Sequence, residues 1–127
     1  KRPNIHIDDM VDLYVKLVNE FEEKIVGKTF NAGADNFSVN ELALLVKIAV
    51  EDVRKTKIVQ IERKPTEDLR SYSISSLKIK RELGWKLRFS VLDAIRSLIV
   101  AFDGGKIPDP DDSKYYNIKT MQKLNIS

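Results

Sequence analysis

The sequence contains no cysteine and only one histidine in 127 residues. The chain can therefore form neither a disulfide framework nor a thiolate metal site, and the lack of cysteine fits a reducing compartment, so we expect a cytoplasmic protein. An acidic cluster at Asp109, Asp111 and Asp112 lacks the glycine and the distal glutamate of an EF-hand loop. These absences together predict that the chain holds no metal ion.

Glycine is scarce as well, with five residues at scattered positions. None of them forms the Gly-rich strand-turn-helix fingerprint through which a Rossmann domain binds a dinucleotide. His6, the one histidine, lies between Ile5 and Ile7, which favours a structural, hydrogen-bonded imidazole over a catalytic one. The sequence therefore predicts no cofactor-binding residue and no catalytic residue in this chain.

Long apolar runs are also missing. The longest, residues 42–46 and 98–102, are far shorter than the ~20 residues that a bilayer-spanning helix needs. Charge is nearly balanced, with 22 Lys and Arg against 19 Asp and Glu and a net charge of +3. We therefore expect no membrane and no nucleic-acid partner, although a local basic site for a small anion stays open.

The apolar residues that are present recur at helical spacing in the first part of the chain. Asp8 or Asp9 is placed to cap a helix that runs to about Glu23. Residues 28–30 are predicted as a short strand, and residues 31–36 as a polar turn.

A capping box formed by Ser38 and Glu41 predicts the start of a second helix. Residues 57–62 alternate with period two, which predicts a strand buried on one face, and residues 64–70 are predicted as a charged loop. The inner face of the second helix is expected to hold Leu42, Leu45, Ile48, Ala49 and Val53.

Two further helices are predicted, over residues 77–83 and 91–102. The first of these ends at Gly84, where Trp85 covers its end, and residues 104–127 form a polar tail with a weak helix. The expected fold is thus a mixed α/β, helix-rich domain of about four helices and a few short strands, without a complete Rossmann fold.

Cationic side chains stand near the predicted turns. Arg2 precedes the first helix, and Asn36 closes the polar turn. Arg63 stands directly before the charged loop, which contains Lys64 and Arg70. The planar guanidinium group binds phosphate in a bidentate manner, so arginines that converge from separate loops are suited to bind a diphosphate. These five residues are the candidate binding site.

Four motifs follow one another between residues 2 and 103. They are Arg2-Pro3-Asn4-Ile5-His6-Ile7-Asp8-Asp9, Gly27-Lys28-Thr29-Phe30-Asn31-Ala32-Gly33 with Ser38-Val39-Asn40-Glu41-Leu42-Ala43, Lys64-Pro65-Thr66-Glu67-Asp68-Leu69-Arg70-Ser71-Tyr72, and Lys78-Ile79-Lys80-Arg81-Glu82-Leu83-Gly84-Trp85 with the helix from Ser90 to Ile95. In this order they resemble the C-terminal half of the extended short-chain dehydrogenase/reductases, the NAD-dependent nucleotide-sugar epimerases and dehydratases. The first is similar to the family's Arg-x-x-Ile-His-Val-x-Asp segment, and the second to its Gly-x-x-Tyr-Asn-x-Gly turn.

The resemblance implies that cofactor binding and substrate binding belong to two different domains. In the family, an N-terminal Rossmann domain holds NAD(P) and a Tyr-x-x-x-Lys catalytic pair, while the C-terminal part holds the nucleotide-diphosphate sugar. Residues 1–103 would then be the substrate-binding portion, residues 104–127 a tail outside the resemblance, and the chain by itself inactive. Its expected partners are a nucleotide-diphosphate sugar and the missing Rossmann domain. Apolar surface that this domain leaves uncovered would permit self-association.

Individual roles follow from the matched positions. Arg2 stands where the family's arginine contacts the diphosphate, and Asn36 lies at a turn that reaches the nucleotide. The family's second arginine opens an Arg-Pro-Gly segment, but this chain has Lys64-Pro65-Thr66 there. Arg63, Lys64 and Arg70 therefore remain alternatives for this role, and Asp68 is placed to orient Arg70. The resemblance implies structural roles for His6, Asp9 and Trp85.

Tyr115 and Lys119 stand four positions apart, as in the family's catalytic pair. With four tyrosines and many lysines this spacing is expected by chance, so we assign it no catalytic role. An alternative to the enzyme fragment is a free-standing, helix-rich binding or adaptor module. Such a module would use the same basic loops to bind a phosphorylated ligand or a partner protein.

Overall fold

The computed structural model describes residues 1–55, 59–65 and 70–125. Within these residues the chain is a helix-rich, mixed α/β protein, as predicted, with six α-helices where about four were expected. The helices are α1 (Ile7–Val18), α2 (Glu22–Ile25), α3 (Val39–Arg54), α4 (Leu77–Leu83), α5 (Val91–Asp103) and α6 (Asn117–Lys123), and a 3-10 turn spans Ser113–Tyr115. The chain forms two compact units, Lys1–Ser97 and Leu98–Ser127.

Two short strands, β1 (Arg2–Pro3) and β2 (Asn36–Phe37), form an antiparallel sheet in which Arg2 pairs with Phe37. The strand predicted at residues 28–30 is wrong, and so is the placement of Asn36 in a turn. Backbone groups in residues 28–30 are hydrogen bonded outside a sheet. The Lys28 amide donates to the Ile25 carbonyl of α2 at 3.0 Å, and the Thr29 carbonyl accepts from the Lys78 ammonium at 2.8 Å.

Helix α1 spans Ile7–Val18, flanked by His6 as N-cap and Asn19 as C-cap, so the predicted continuous helix to Glu23 and the predicted aspartate cap are both wrong. His6 is the N-cap, and its Nδ1 accepts the Asp8 amide at 3.1 Å. At the other end, the Asn19 side chain donates to the Val15 carbonyl at 2.7 Å. Asparagine side chains compete with the backbone for such carbonyls, which explains why the helix stops before α2.

The capping box that opens α3 is confirmed. Ser38 Oγ accepts the Glu41 amide at 3.2 Å, and the Glu41 carboxylate accepts the Ser38 amide at 2.6 Å. The predicted inner face is only partly right, because Ala49 is buried whereas Ile48 is 52% and Val53 is 46% exposed.

The strand predicted over residues 57–62 is absent from residues 59–62, and residues 57 and 58 lie outside the described residues. Both backbone groups of Val59 bond to side chains of α3. Its amide donates to Glu51 at 3.2 Å, and its carbonyl accepts from Lys47 at 2.6 Å. A segment held in this way is anchored to a helix, so its alternating pattern does not give a strand.

The core of the first unit lies around α4. A cluster of buried apolar side chains joins α1 to α4 and the loop that follows, and consists of Leu13, Ile79, Leu83 and Trp85. Ile79 has no exposed surface, and each such side chain contributes about 1.5–3 kcal/mol when fully buried. The predicted end of α4 at Gly84 is confirmed by its left-handed backbone (φ 63°), and the predicted burial of Trp85 is confirmed too.

Helix α5 follows Ser90, as predicted. The Ser90 amide donates to the Asp93 carboxylate at 2.9 Å, and the Asp93 amide donates back to Ser90 Oγ at 3.2 Å. Of its apolar stripe, Ile95 and Ile99 are buried while Leu98 is 53% exposed. Helix α6 confirms the weak helix predicted in the tail.

Candidate functional site

Three of the five candidate residues line one open cleft of about 610 Å³ in the first unit. We call it the cation cleft, because its described lining residues include Arg2, Arg63 and Lys64 beside one carboxylate, that of Glu62. Its other walls come from the N-terminal end of α3 and from Ile61. Two distant segments of the chain thus bring their positive charges to one place.

Arg2 is held in place by the backbone of neighbouring segments. Its Nη1 donates to the Arg70 carbonyl and, at 3.2 Å, to the Lys1 carbonyl. The guanidinium carbon lies 5.7 Å from the centre of the Tyr72 ring, within the range of a cation–π contact. Because the side chain is half-buried and hydrogen bonded to two backbone carbonyls, its position at the cleft is set before any ligand arrives.

Arg63 and Lys64 are exposed and held less firmly. Arg63 has no hydrogen bond or ion pair with a described residue. Lys64 lies 3.3 Å from a carboxylate oxygen of Glu62, and these two side chains are 75% and 76% exposed. Exposed pairs of this kind contribute at most about 1 kcal/mol, so an anionic ligand can compete with Glu62 for Lys64.

The first turn of α3 also lines the cleft, through Val39 and Asn40. A helix N-terminus carries a partial positive charge and exposed backbone amides, which adds to the field of the cations. The backbone hydrogen bond from Ser38, then its hydroxyl and the charge of Lys1, hold the pKa of Glu41 below its ordinary value. Glu41 is therefore ionised at neutral pH, where its carboxylate is engaged in the capping box.

Asn36 and Arg70 do not line the cation cleft. The Asn36 amide is paired with the backbone of Ile74, donating to its carbonyl at 3.0 Å and accepting its amide at 2.9 Å. The Arg70 side chain is exposed, and the Arg70 carbonyl accepts from Arg2. Asp68, expected to orient Arg70, lies outside the described residues. Both residues thus support the site through the backbone of the segment between residues 70 and 74.

His6 is buried and hydrogen bonded, which confirms the structural environment expected from the sequence. It is 7% exposed, and its ring stacks on Phe89 at 4.4 Å between centroids. Asp9 is 1% exposed, and its carboxylate accepts the amides of Arg88 at 2.9 Å and Phe89 at 3.1 Å. The two residues anchor the loop before α5 to the start of α1.

Glu62 and the first turn of α3 were not identified as site residues from the sequence. The Ser38 and Glu41 capping box marks where α3 begins, and Asn36 just before it pairs with Pro3. Together these contacts place the helix N-terminus beside Arg2. The capping box was visible in the sequence, but the pairing of β1 with β2 was not.

Tyr115 and Lys119 do not share a helix. Tyr115 belongs to the 3-10 turn, whereas Lys119 belongs to α6 and places its ammonium 4.1 Å from the ring centre of Tyr116. The two residues therefore lack the fixed spacing on one helix that would hold a tyrosine and a lysine together.

An exposed apolar stripe runs along the outer side of α1. Its members recur at helical spacing and are between 52% and 85% exposed: Ile7, Val11, Tyr14, Val15 and Val18. We call it the α1 stripe. Contiguous apolar surface of this kind is typical of a contact with another protein surface.

Among the described residues, no group of three or more His, Cys, Asp or Glu side chains is placed to hold a metal ion. In the same part of the chain, no helix is long and apolar enough to cross a bilayer. No protein-family model, curated protein or solved structure matches the sequence.

Proposed function

We propose that this chain is the substrate-binding portion of a cytoplasmic NAD-dependent nucleotide-sugar epimerase or dehydratase, and that the cation cleft binds the diphosphate of a nucleotide-diphosphate sugar. The observation that carries the proposal is the convergence of Arg2, Arg63 and Lys64 on one cleft. In the resemblance, position 2 matches the family's first arginine, position 64 stands where its second arginine opens the Arg-Pro-Gly segment, and position 63 adjoins it.

The chemistry of the cleft favours a diphosphate over a smaller anion. Arg2 donates to two backbone carbonyls, so it brings its positive charge to the cleft from a fixed position. Arg63 and Lys64 are exposed and can close on a second phosphoryl group from the other side. A rigid arginine on one side and adaptable cations on the other suit a ligand with two linked negative groups.

In the same proposal, the α1 stripe is the surface that contacts the Rossmann domain. In the intact parent enzyme the missing Rossmann domain, which holds NAD(P), would contact apolar surface on the substrate-binding portion. Five exposed apolar side chains on one helix provide such a surface. The redox chemistry would reside in the missing domain, and the described residues would bind and orient the substrate.

Binding to a panel of nucleoside diphosphates, measured by NMR titration of the 127-residue chain, tests the proposal. We expect saturable binding of at least one nucleoside diphosphate, with resonance shifts at Arg63, Lys64 and the first turn of α3. The matching nucleoside, which lacks the phosphates, should bind at least about tenfold more weakly. Equal binding of nucleoside and diphosphate would contradict the assignment of the cleft.

The α1 stripe also favours the second candidate, a free-standing module that binds a phosphorylated ligand or a partner protein. The parent reading frame distinguishes the two. A Gly-rich strand-turn-helix fingerprint encoded upstream of Lys1 supports the enzyme, because that motif binds the dinucleotide. Its absence from the whole parent protein would favour the module.

A further inference from the structure

A second cleft in the first unit, of about 520 Å³, shares no lining residue with the cation cleft. Its floor is apolar and includes Ile74, Leu77, Trp85 and Leu87. Trp85 belongs to the buried core and is 6% exposed, so the floor adjoins the packed interior at this residue, whereas Leu77 at its edge is 73% exposed. We call this feature the tryptophan cleft. Its volume falls within the usual range for small-molecule sites, roughly 300–1,000 Å³.

The walls of the tryptophan cleft are fixed by two pairs of hydrogen bonds. The Ser76 hydroxyl accepts the Gly33 amide at 2.9 Å and donates to the Gly33 carbonyl at 2.7 Å. The Asn36 side chain makes the matching pair with the backbone of Ile74. A Cβ at Gly33 would lie 2.8 Å from the end of Ile74, so glycine lets the two segments approach closely. Walls held in this way lose little freedom when a ligand binds.

Two lysines give the tryptophan cleft its charge. Lys80 and Lys86 line it, and neither has an ion pair or hydrogen bond with a described residue. Among the described residues, no aspartate or glutamate lines the cleft. The cleft thus combines an apolar floor with positive charge alone, which is complementary to a ligand that has a flat apolar body and an anionic end.

We propose that the tryptophan cleft is a binding site for a small aromatic anion, of the aryl phosphate or aryl carboxylate class. The ring would lie on the apolar floor over Trp85, and the anionic group would lie between Lys80 and Lys86. This site is independent of the diphosphate site proposed above, so either can fail without the other.

Trp85 is the only tryptophan of the chain, so its indole N–H gives a single NMR cross-peak that reports on this cleft. Phenyl phosphate is the probe. We expect a saturable shift of this cross-peak, with at least about fivefold weaker binding of inorganic phosphate, which lacks the apolar body, and of benzyl alcohol, which lacks the charge. Equal affinity for either comparison compound, or no saturable shift, would overturn the proposal.

Single substitutions test whether the two cleft lysines bind the anionic group. Lys80→Ala and Lys86→Ala should each weaken phenyl phosphate binding about threefold or more, whereas Lys106→Ala, an exposed lysine of the second unit, should leave it unchanged. Unchanged binding in both cleft variants would also overturn the proposal. Because both lysines are exposed, the variants should keep the dispersed amide spectrum of the parent chain.

Discussion

The hydroxyl of Ser76 bonds to both backbone groups of Gly33, accepting from the amide at 2.9 Å and donating to the carbonyl at 2.7 Å. The two residues are 43 positions apart. One side chain therefore satisfies a backbone donor and acceptor that a neighbouring strand would otherwise pair with. This contact joins the segment before β2 to the start of α4, and it forms a wall of the tryptophan cleft.

Replacing Ser76 by alanine should lower the free energy of unfolding by about 1–3 kcal/mol, because two backbone groups of the half-buried contact lose their partner. Urea denaturation measures the change. Ser75→Ala is the matched control. Within the described part of the chain the Ser75 hydroxyl accepts only the Leu77 amide, at 3.4 Å, and its loss should change stability by less than about 0.5 kcal/mol. Equal effects of the two substitutions would contradict the role given to Ser76.

Asp9→Ala should be more damaging, with a loss of about 2–4 kcal/mol in the same measurement. The carboxylate is 1% exposed and accepts two amides of the loop before α5, which alanine would leave without acceptors. Asp8→Ala serves as the control, since the Asp8 side chain is 62% exposed and contributes mainly through the helix dipole, about 0.3–1 kcal/mol. A loss at Asp9 no larger than that at Asp8 would show that the loop is not anchored by this carboxylate.

These two contacts show what could and could not be predicted from the sequence. The capping box at Ser38, the end of α4 at Gly84 and the start of α5 are set by residues within one helical turn, and their signals were readable. The two strands have only two residues each, too few for an alternating pattern, and their paired residues are 33 and 35 positions apart along the chain. The alternating pattern at residues 57–62 was misleading, and side chains of α3 bind both backbone groups of Val59.

The same distinction applies to the candidate site. Residue chemistry and the family resemblance selected five candidate side chains. In the folded chain, Arg2, Arg63 and Lys64 line one cleft, whereas Asn36 and Arg70 do not. Asn36 was selected as a turn residue, yet its amide is paired with Ile74. Which candidates line the cleft depends on how segments distant in sequence pack together. No local sequence pattern could therefore have separated the residues that line the cleft from those that do not.

Acid should destabilise the chain partly through Glu41. Its pKa in the folded chain lies below the ordinary value of 4.5, first because its carboxylate accepts the Ser38 amide. A carboxylate with a lowered pKa stabilises the fold above its unfolded pKa, and this contribution is lost as the pH falls through the folded value. The stability advantage over Glu41→Gln should therefore be full at pH 7 and shrink below about pH 4.5. Urea titrations of both proteins across this range measure it, and a pH-independent difference would contradict the assignment.

The α1 stripe should make the isolated chain associate with itself. Val11 and Val18 are 52% and 85% exposed, so the double substitution Val11→Lys with Val18→Lys should weaken association while changing stability by less than about 1 kcal/mol. Sedimentation velocity over a range of concentrations measures the effect, and Val53→Lys on α3 is the control. A monomeric parent chain at every concentration would contradict this prediction.

The most direct test of the proposed function compares nucleoside diphosphate binding in Arg63→Ala and Arg81→Ala. Arg63 lines the cation cleft, whereas the control Arg81 is 80% exposed on α4 and pairs with Glu82. Both variants lose one positive charge, so a general effect of net charge is the same in the two. We predict that isothermal titration calorimetry will show about fivefold or greater weakening in Arg63→Ala and none in Arg81→Ala. Equal affinities in the two variants would contradict diphosphate binding in the cation cleft.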